Sequence, residues 1–204
     1  SRAALEDFCR RQKINASIYE PEIARRLQLP IYQLDWPDTG PDVAILIPVN
    51  DLAEVLHTCI ESLRGKTSYP NLRIIILDHG SADPAMLRYL DELHRAGIEV
   101  LSSSDEQQTV SRSCLVNRAV QQIQAELILL LNPAIEVVEP KWLSRMVGYL
   151  SLPGVGATGA RLLCSDGTVQ HAGMLLQMDH GIAPDHAFQN QPAADCSYYF
   201  QAEV

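Results

Sequence analysis

The feature that most constrains the fold of this chain is an apolar run that stops at an asparagine-proline pair. Residues 127–131 read Leu-Ile-Leu-Leu-Leu, and Asn132, Pro133 and Ala134 follow directly. A short apolar run closed by turn residues predicts a strand buried on both faces, as in the middle of a parallel sheet. Proline has no backbone N–H to donate, so the strand must end by residue 131 or 132. Open α/β sheets bind ligands beyond the carboxyl ends of their strands, which makes Asn132-Pro133-Ala134 a candidate site.

The rest of the chain alternates between strand and helix patterns. Further apolar strands are predicted at residues 43–47, where Pro48 ends the strand, at 72–77 and at 98–101. Helical stripes of apolar residues occur at 52–63, 86–93, 116–123 and 143–150. This β-α-β-α-β-α-β-α order predicts an α/β fold with a doubly wound, mainly parallel sheet.

Capping residues mark where two of these helices begin or end. Asp51 with Glu54 three residues later predicts a capping box, and Gly65 predicts the end of the same helix. Asp83 directly before Pro84 predicts a second N-cap, with proline as the first helical residue. Each of these residues is therefore expected to act within its own helix.

Composition divides the chain into two regions. Residues 1–40 contain two short charged helical segments and several prolines, which predicts an N-terminal helical and irregular appendage. Residues 41–204 are predicted to form the main α/β domain. Within it, an Asp166-Gly167 turn joins the apolar segments 155–164 and 169–176, which predicts a β-hairpin region after the sheet.

Charge and cysteine usage argue against several classes of protein. Lysine and arginine number 16 against 25 aspartates and glutamates, and the net charge of −9 disfavours nucleic acid as a partner. No apolar run approaches the roughly 18 residues of a membrane span, so neither a transmembrane segment nor a signal peptide is predicted. The five cysteines are scattered singly, as in a reducing compartment, which predicts a cytoplasmic protein.

A glycine-rich motif at residues 154–159, Gly-Val-Gly-Ala-Thr-Gly, does not predict dinucleotide binding. The dinucleotide fingerprint needs a strand before it and a helix after it, whereas this match follows a predicted helix and enters a strand-like segment. The first strand is instead followed by Pro48-Val49-Asn50-Asp51, without a glycine. A nicotinamide-dependent dehydrogenase is therefore disfavoured.

Three further positions are candidates for chemistry, and each has two interpretations. Asp78 and Gly80 follow the second strand, where they either bind a base or ribose or form a well-capped turn. Asn117, beside Val116 on the predicted apolar side of a helix, is either a buried, hydrogen-bonded amide or a ligand contact. His171 has no triad partner at a recognisable spacing, and the histidines do not predict a metal site.

Taken in order, these segments resemble the motifs of a family 2 glycosyltransferase with the glycosyltransferase A-type (GT-A) fold. The first motif, V-A-I-L-I-P-V-N-D at residues 43–51, resembles the family's V-S-I-I-I-P-V-Y-N, and L-D-H-G-S-A-D at 77–83 resembles V-D-N-G-S-T-D. The other matching segments are residues 115–117, 130–134, 153–156 and 166–173. The resemblance covers about residues 43–188 in the family's order and spacing.

The resemblance implies transfer of a sugar from a nucleotide diphosphosugar, a UDP- or dTDP-sugar, to an acceptor hydroxyl that it does not identify. It implies that nucleotide-binding residues are Pro48, Val49, Asn50, Asp78, Gly80, Asn117 and Asn132. The family's acidic motif after the central strand holds Mg²⁺ or Mn²⁺ against the diphosphate, where the ion neutralises charge on the leaving group.

This chain departs from the family at that acidic motif. Ala134 stands where the family has the metal-binding aspartate, Asn132 supplies no charge, and Glu136 lies two residues further on. The chain also ends at Val204, before the region where the family places its general base, so a partner domain is expected beyond it and catalytic residues are not assigned. The alternative interpretation is a degenerate, non-catalytic domain that binds a nucleotide sugar or has a structural role in a larger glycan-synthesis protein.

Overall fold

The computed structural model describes residues 2–102, 111–176 and 184–193. The helices are α1 Arg2–Gln12, α2 Glu22–Leu27, α3 Ala53–Lys66, α4 Pro84–Arg95, α5 Arg112–Gln122 and α6 Trp142–Leu150. The strands are β1 Ser17–Tyr19, β2 Gln33–Asp35, β3 Val43–Val49, β4 Leu72–Asp78, β5 Glu99–Ser102, β6 Leu127–Leu130, β7 Leu162–Leu163, β8 Val169–His171, β9 Met174–Leu176 and β10 Pro184–His186. Two compact units are present, Asp38–Leu143 and Ser1–Pro37 with Ser144–Val204. Within the described ranges, no helix combines the length and apolarity needed to cross a membrane.

The unit Asp38–Leu143 contains a four-stranded parallel sheet in the order β5-β4-β3-β6. The chain builds β3, β4 and β5 outward in one direction and then returns to place β6 on the other side of β3. The strand order therefore reverses between β3 and β6, which is the position where open α/β sheets form a ligand crevice. The predicted α/β fold with a mainly parallel sheet is confirmed.

The core of this unit lies on both faces of β3, which is buried along its whole length. On one face, Ala44, Leu46, Ile75 and Leu77 of β3 and β4 form a cluster with Leu115 and Ala119 of α5. Alternation along the strands puts Ile45, Ile47 and Ile76 on the opposite face, where they are also fully buried. Burial of one such side chain contributes about 1.5–3 kcal/mol, so this continuous apolar strand is the main source of stability in the sheet.

The prediction that the 127–131 run forms a central strand buried on both faces is wrong for the described residues. In the described sheet β3 and β4 are the inner strands, whereas β6 lies at the edge and pairs with β3 alone. Ile128 and Leu130 are 40% and 59% exposed, although their pairing partners Ala44 and Leu46 are fully buried. The reason is that the α5 cluster covers β3 and β4 but not β6. An apolar run alone did not distinguish the central strand from its neighbour.

The prediction that Pro48 ends the first strand is also wrong. β3 continues through Pro48 to Val49, and Pro48 pairs with Leu77 of β4. Leu46 accepts a hydrogen bond from the N–H of Leu131 on the β6 side, and backbone groups two residues apart point to the same side of a strand. The nitrogen of Pro48, which carries no hydrogen, therefore faces the β6 side. It lies beyond the last β3–β6 pair, so no ladder hydrogen bond is interrupted.

The start of α3 differs from the predicted capping box. The N-cap residue is Leu52, with a left-handed backbone and no side-chain capping bond, and the helix continues past Gly65 to Lys66. The predicted cap of α4 is confirmed, because the Asp83 side chain accepts a hydrogen bond from the N–H of Ala85. Asp51 makes its side-chain contacts outside α3, as described below.

The second unit contains the predicted helices α1 and α2 and a short antiparallel pair, β1 with β2, in a segment expected to be irregular. The predicted hairpin is confirmed by the antiparallel pairing of β7 with β8 around Gly167, whose φ is 82°. Its first strand is only two residues long, and residues 154–160 form neither strand nor helix. The strand-like segment predicted directly after the glycine-rich motif is therefore not formed at these residues. The boundary between residues 40 and 41 stays a prediction.

Candidate functional site

The ends of β3 and β4 bring several of the predicted nucleotide-binding residues together. Pro48 pairs with Leu77, and Val49 pairs with Asp78, so these residues lie side by side at the carboxyl end of the sheet. The N–H of His79 donates to the carbonyl of Val49 at 2.9 Å, which extends the pairing one residue beyond the strands. Asn50 and Gly80 follow directly and are both exposed.

Asp78 is a buried carboxylate at this edge of the sheet, only 6% exposed. Its Oδ1 accepts a hydrogen bond from the N–H of Ser81 at 3.0 Å, which is a turn contact within the same loop. Gly80 between them has a φ of 79°, a left-handed conformation that favours glycine. A Cβ at Gly80 would meet no atom within 4 Å, so the glycine serves the turn and leaves open space beside it.

Asp51 connects the loop after β3 with the loop after β4, a role that the sequence did not predict. Its Oδ1 accepts hydrogen bonds from the N–H groups of Ala82 and Asp83, both at 2.9 Å. Its own N–H donates to Ser81 Oγ at 3.1 Å. We call these three hydrogen bonds the Asp51 bridge. The sequence signal was present in Asp51 itself, but its partners lie 30 to 32 residues away and were not identifiable from spacing.

Asn132 follows β6 on the other side of β3, across the point where the strand order reverses. The N–H of Leu131 donates to the carbonyl of Leu46 at 2.9 Å, which places Asn132 immediately beyond the end of β6. Asn132 Oδ1 accepts a hydrogen bond from the N–H of Ala134 at 2.9 Å, an Asx turn. Both Asn132 and Ala134 are exposed. The Asn-Pro-Ala segment is thus a turn whose amide oxygen already has a backbone partner.

Glu136 does not replace the carboxylate that Ala134 lacks. Its Oε1 lies 2.7 Å from Lys66 Nζ, at the C-terminal end of α3. The next residue, Val137, is also held against α3, because its N–H donates to the buried Ser62 Oγ at 3.1 Å. The carboxylate is therefore directed to α3 by two adjacent contacts.

The residues present do not fit the divalent metal site that the GT-A fold implies. Mg²⁺ is held in proteins by carboxylate, carbonyl and water oxygens, with at least one or two carboxylates at nucleotide sites. At this position the described side chains are an amide in a turn, an alanine and a glutamate paired with Lys66. In the described ranges no group of three or more His, Cys, Asp or Glu side chains could hold a metal ion.

Asn117 lies on a different face of its helix from the one predicted. The buried residues of α5 are Leu115 and Ala119, and Val116 is only partly buried against the same cluster. Asn117 is two residues from Leu115, about 200° around the helix, and is exposed. The interpretation as a buried amide is therefore wrong, and its role as a ligand contact stays a prediction. His171 lies in β8 of the other unit.

Comparison with known proteins adds family evidence to this geometry. The sequence model of the family described as glycosyl transferase family 2 matches residues 44–197. An uncharacterized protein of Sinorhizobium fredii, y4gI, is 36% identical over 174 residues, which are 85% of this chain and 19% of the relative. The O-antigen biosynthesis protein RfbC of Myxococcus xanthus is 32% identical over 198 residues, 97% of this chain and 15% of the relative. The chain thus spans less than a fifth of the length of either relative.

A solved structure shows the same type of fold. The crystal structure of GalNAc-T7 with UDP, GalNAc and Mn²⁺ aligns with 58% of this chain and 22% of its own chain, at a TM-score of 0.50 and 15% identity. At that identity the likeness supports the fold alone. The family match extends over most of the sequence, in agreement with the resemblance predicted from its motifs. The chain therefore belongs to glycosyl transferase family 2.

Proposed function

We propose that this chain is the GT-A-type domain of a sugar-transfer protein and that the loops after β3 and β4 bind the nucleotide of a nucleotide diphosphosugar. In this proposal, Asp78 accepts a hydrogen bond from the base, and Val49 and Asn50 line the pocket beside it. Gly80 allows the ligand to approach the backbone, and Asn132 lies across the crevice. The donor is a UDP- or dTDP-sugar.

One observation carries the proposal, namely the pairing of Val49 with Asp78 at the carboxyl ends of neighbouring strands. It puts a buried carboxylate at the carboxyl edge of the sheet, next to β3, the strand at which the strand order reverses. Uracil and thymine each carry a ring N–H that can donate a hydrogen bond to a carboxylate. The ring nitrogen on the Watson–Crick edge of adenine is instead an acceptor. A pocket built on Asp78 should therefore favour uracil or thymine over adenine.

Membership of the family supports a sugar as the transferred group. The related RfbC is named for O-antigen biosynthesis, which supports a role in making a surface glycan. The similar fold of GalNAc-T7 was solved with UDP, which supports a nucleotide donor of the same kind.

A second function is favoured by the segment that follows β6. The amide of Asn132, the methyl group of Ala134 and the Lys66-paired Glu136 supply no carboxylate set for a divalent ion. We therefore propose, as the alternative, a domain that binds a nucleotide sugar without transferring it. The two functions share the nucleotide pocket and differ in chemistry.

Calorimetric titration with UDP, dTDP and ADP tests the pocket. We expect UDP and dTDP to bind more tightly than ADP, and Asp78→Ala to weaken UDP binding by about 1–3 kcal/mol, the cost of leaving a buried donor unmatched. Asp91→Ala is the matched control, because it removes an equivalent negative charge from an exposed position on α4 in the same unit. Equal UDP affinity of Asp78→Ala and the parent chain would remove Asp78 from the site.

A further inference from the structure

We propose that Asp51 is a positioning residue, which holds the loop carrying Asp78 and Gly80 in the shape that receives the nucleotide. This inference rests on the proposed nucleotide site, and it assigns a role to a residue that is not itself placed against the ligand. The Asp51 bridge is the structural basis for it.

The bridge begins where the strand pairing ends. The last backbone hydrogen bond between the two segments runs from the N–H of His79 to the carbonyl of Val49. Beyond it, the Asp51 bridge continues the connection to Ser81, Ala82 and Asp83. Asp78 is the last residue of the paired strand, and Gly80 lies between two fixed points, the strand end on one side and the bridge on the other.

Asp51 and the residue after it adopt a backbone conformation that is unfavourable for most side chains. Asp51 and Leu52 have φ values of 52° and 62°, two consecutive left-handed residues that are not glycine. Such conformations persist only where surrounding contacts impose them, and aspartate and asparagine adopt them more readily than most residues. Leu52 is 68% exposed, so its side chain is not the cause. The hydrogen bonds of Asp51 offset this strain, together with those that the Leu52 carbonyl accepts from the first turn of α3.

The two N–H groups that donate to Asp51 lie just before α4. Without the Asp51 carboxylate they would point to solvent or to a ligand. Because Asp51 occupies both, the loop has one preferred arrangement before any nucleotide arrives. A loop that is already ordered loses less conformational entropy when it binds, and its affinity is correspondingly higher. The expected effect of losing the bridge is therefore weaker nucleotide binding in a chain that remains folded.

Two substitutions at the same position separate the bridge from charge and from backbone strain. Asp51→Asn keeps an Oδ1 that can accept from Ala82 and Asp83, whereas Asp51→Gly removes every acceptor. Both variants are neutral, and both asparagine and glycine tolerate a positive φ. A difference between them therefore reports the side-chain hydrogen bonds together with the extra backbone freedom of glycine, and the Ser81→Ala variant tests the bridge without that backbone change.

The measurements are UDP affinity by calorimetry, melting temperature, and amide hydrogen exchange of residues 82 and 83 by NMR without ligand. We expect Asp51→Asn to bind UDP within about twofold of the parent and Asp51→Gly to bind about tenfold more weakly, from the loss of two hydrogen bonds. Exchange at residues 82 and 83 should accelerate in Asp51→Gly and stay near the parent rate in Asp51→Asn. Ser81→Ala removes the third bond of the bridge and should weaken UDP binding by about threefold, which keeps the test open if Asp51→Gly does not fold.

The outcomes distinguish this inference from the function on which it rests. If the parent chain binds UDP and the glycine and asparagine variants bind it equally, the positioning role is overturned while the nucleotide site stands. If the two amides exchange equally fast in both variants, the bridge itself is overturned. If the parent chain binds none of the nucleotides, the proposed function fails, and the positioning role fails with it.

Discussion

Gly148 of α6 offers the most direct test of packing in the unit that contains residues 1–37 and 144–193. A Cβ at Gly148 would overlap the indole ring of Trp36. Trp36 is only 3% exposed, and its ring makes an edge-to-face contact with Tyr149 at a centroid distance of 5.7 Å. We therefore expect Gly148→Ala to destabilise the protein, although alanine is the better helix former.

The magnitude follows from opposing terms. Replacing glycine by alanine inside a helix contributes about 0.5–1 kcal/mol of stability. Forcing an extra methyl group into a packed site costs about 1–3 kcal/mol, and complete loss of the tryptophan packing would cost about 3–5 kcal/mol. The buried Nε1 of Trp36 has no hydrogen-bond partner among the described residues, so its hydration on moving outward would offset part of that loss. The expected net destabilisation is about 1–2 kcal/mol, or roughly 2–8 °C in Tm.

Thermal melting provides the measurement, and Gly65→Ala provides the matched control. Gly65 also lies inside a helix, near the end of α3, but a Cβ there meets no atom within 4 Å. The same substitution should raise stability by about 0.5–1 kcal/mol at Gly65 and lower it at Gly148. In a Trp142→Phe background, fluorescence reports Trp36 alone and should shift to longer wavelength in Gly148→Ala.

Two results would refute the packing argument. One is an increase in Tm for Gly148→Ala equal to that of Gly65→Ala, which would mean that no ring opposes the new methyl group. The other is an equal loss of stability when Gly148→Ala is introduced into a Trp36→Leu background, where the overlapping ring is absent.

Three further predictions concern the site, a thiol and the domain boundary. Ala134→Asp should create Mn²⁺-dependent UDP binding, because it places a carboxylate beside Asn132. Metal-dependent hydrolysis of a UDP-sugar by the parent chain would contradict the non-catalytic alternative. Burial raises the pKa of Cys59 to about 11 from 9.0, so at pH 8 its thiolate fraction and alkylation rate should be about a hundredfold below those of an unperturbed thiol. The protonated thiol is favoured in the folded state, so its contribution to stability is complete below pH 9 and is lost as pH rises through about 11. Peptide mapping after alkylation checks the alkylation rate, and melting between pH 8 and 11 checks the loss of stability. Deleting residues 1–40 should lower Tm, because it removes Trp36. UDP affinity should stay unchanged, since the candidate nucleotide-binding residues lie between 48 and 132. Loss of UDP affinity in a folded product would place the N-terminal appendage in the site.

Much of the architecture could be predicted from the sequence because its signals are local. The helical stripe of α3, the Asp83 cap of α4 and the turn at Gly167 each depend on residues within a few positions of one another. The β-α order predicted the parallel sheet, and the ordered motifs predicted the family. The absence of an aspartate at Ala134 is likewise a property of the sequence alone.

The candidate site was less accessible, because its contacts join segments distant along the chain. Asp51 resembled a helix cap by spacing, yet its partners are the N–H groups of Ala82 and Asp83. Glu136 is close to Ala134 in sequence, but its carboxylate forms an ion pair with Lys66 of α3. Neither pairing leaves a periodic or compositional trace, so no pattern in the sequence could have predicted it.

By itself, then, the sequence determined which segments form the parallel sheet and its helices, their order and the family to which the chain belongs, since apolar periodicity, capping and turn residues act over short distances. Only the tertiary structure decided that β3 is an inner strand and that β6 lies at the edge of the described sheet. It also decided that Pro48 faces the side where pairing has ended, and that Asp51 joins two loops. These outcomes depend on which strand lies beside which. Equally apolar strands compete for the central position, and strand pairing together with helix packing decides which of them is buried on both faces.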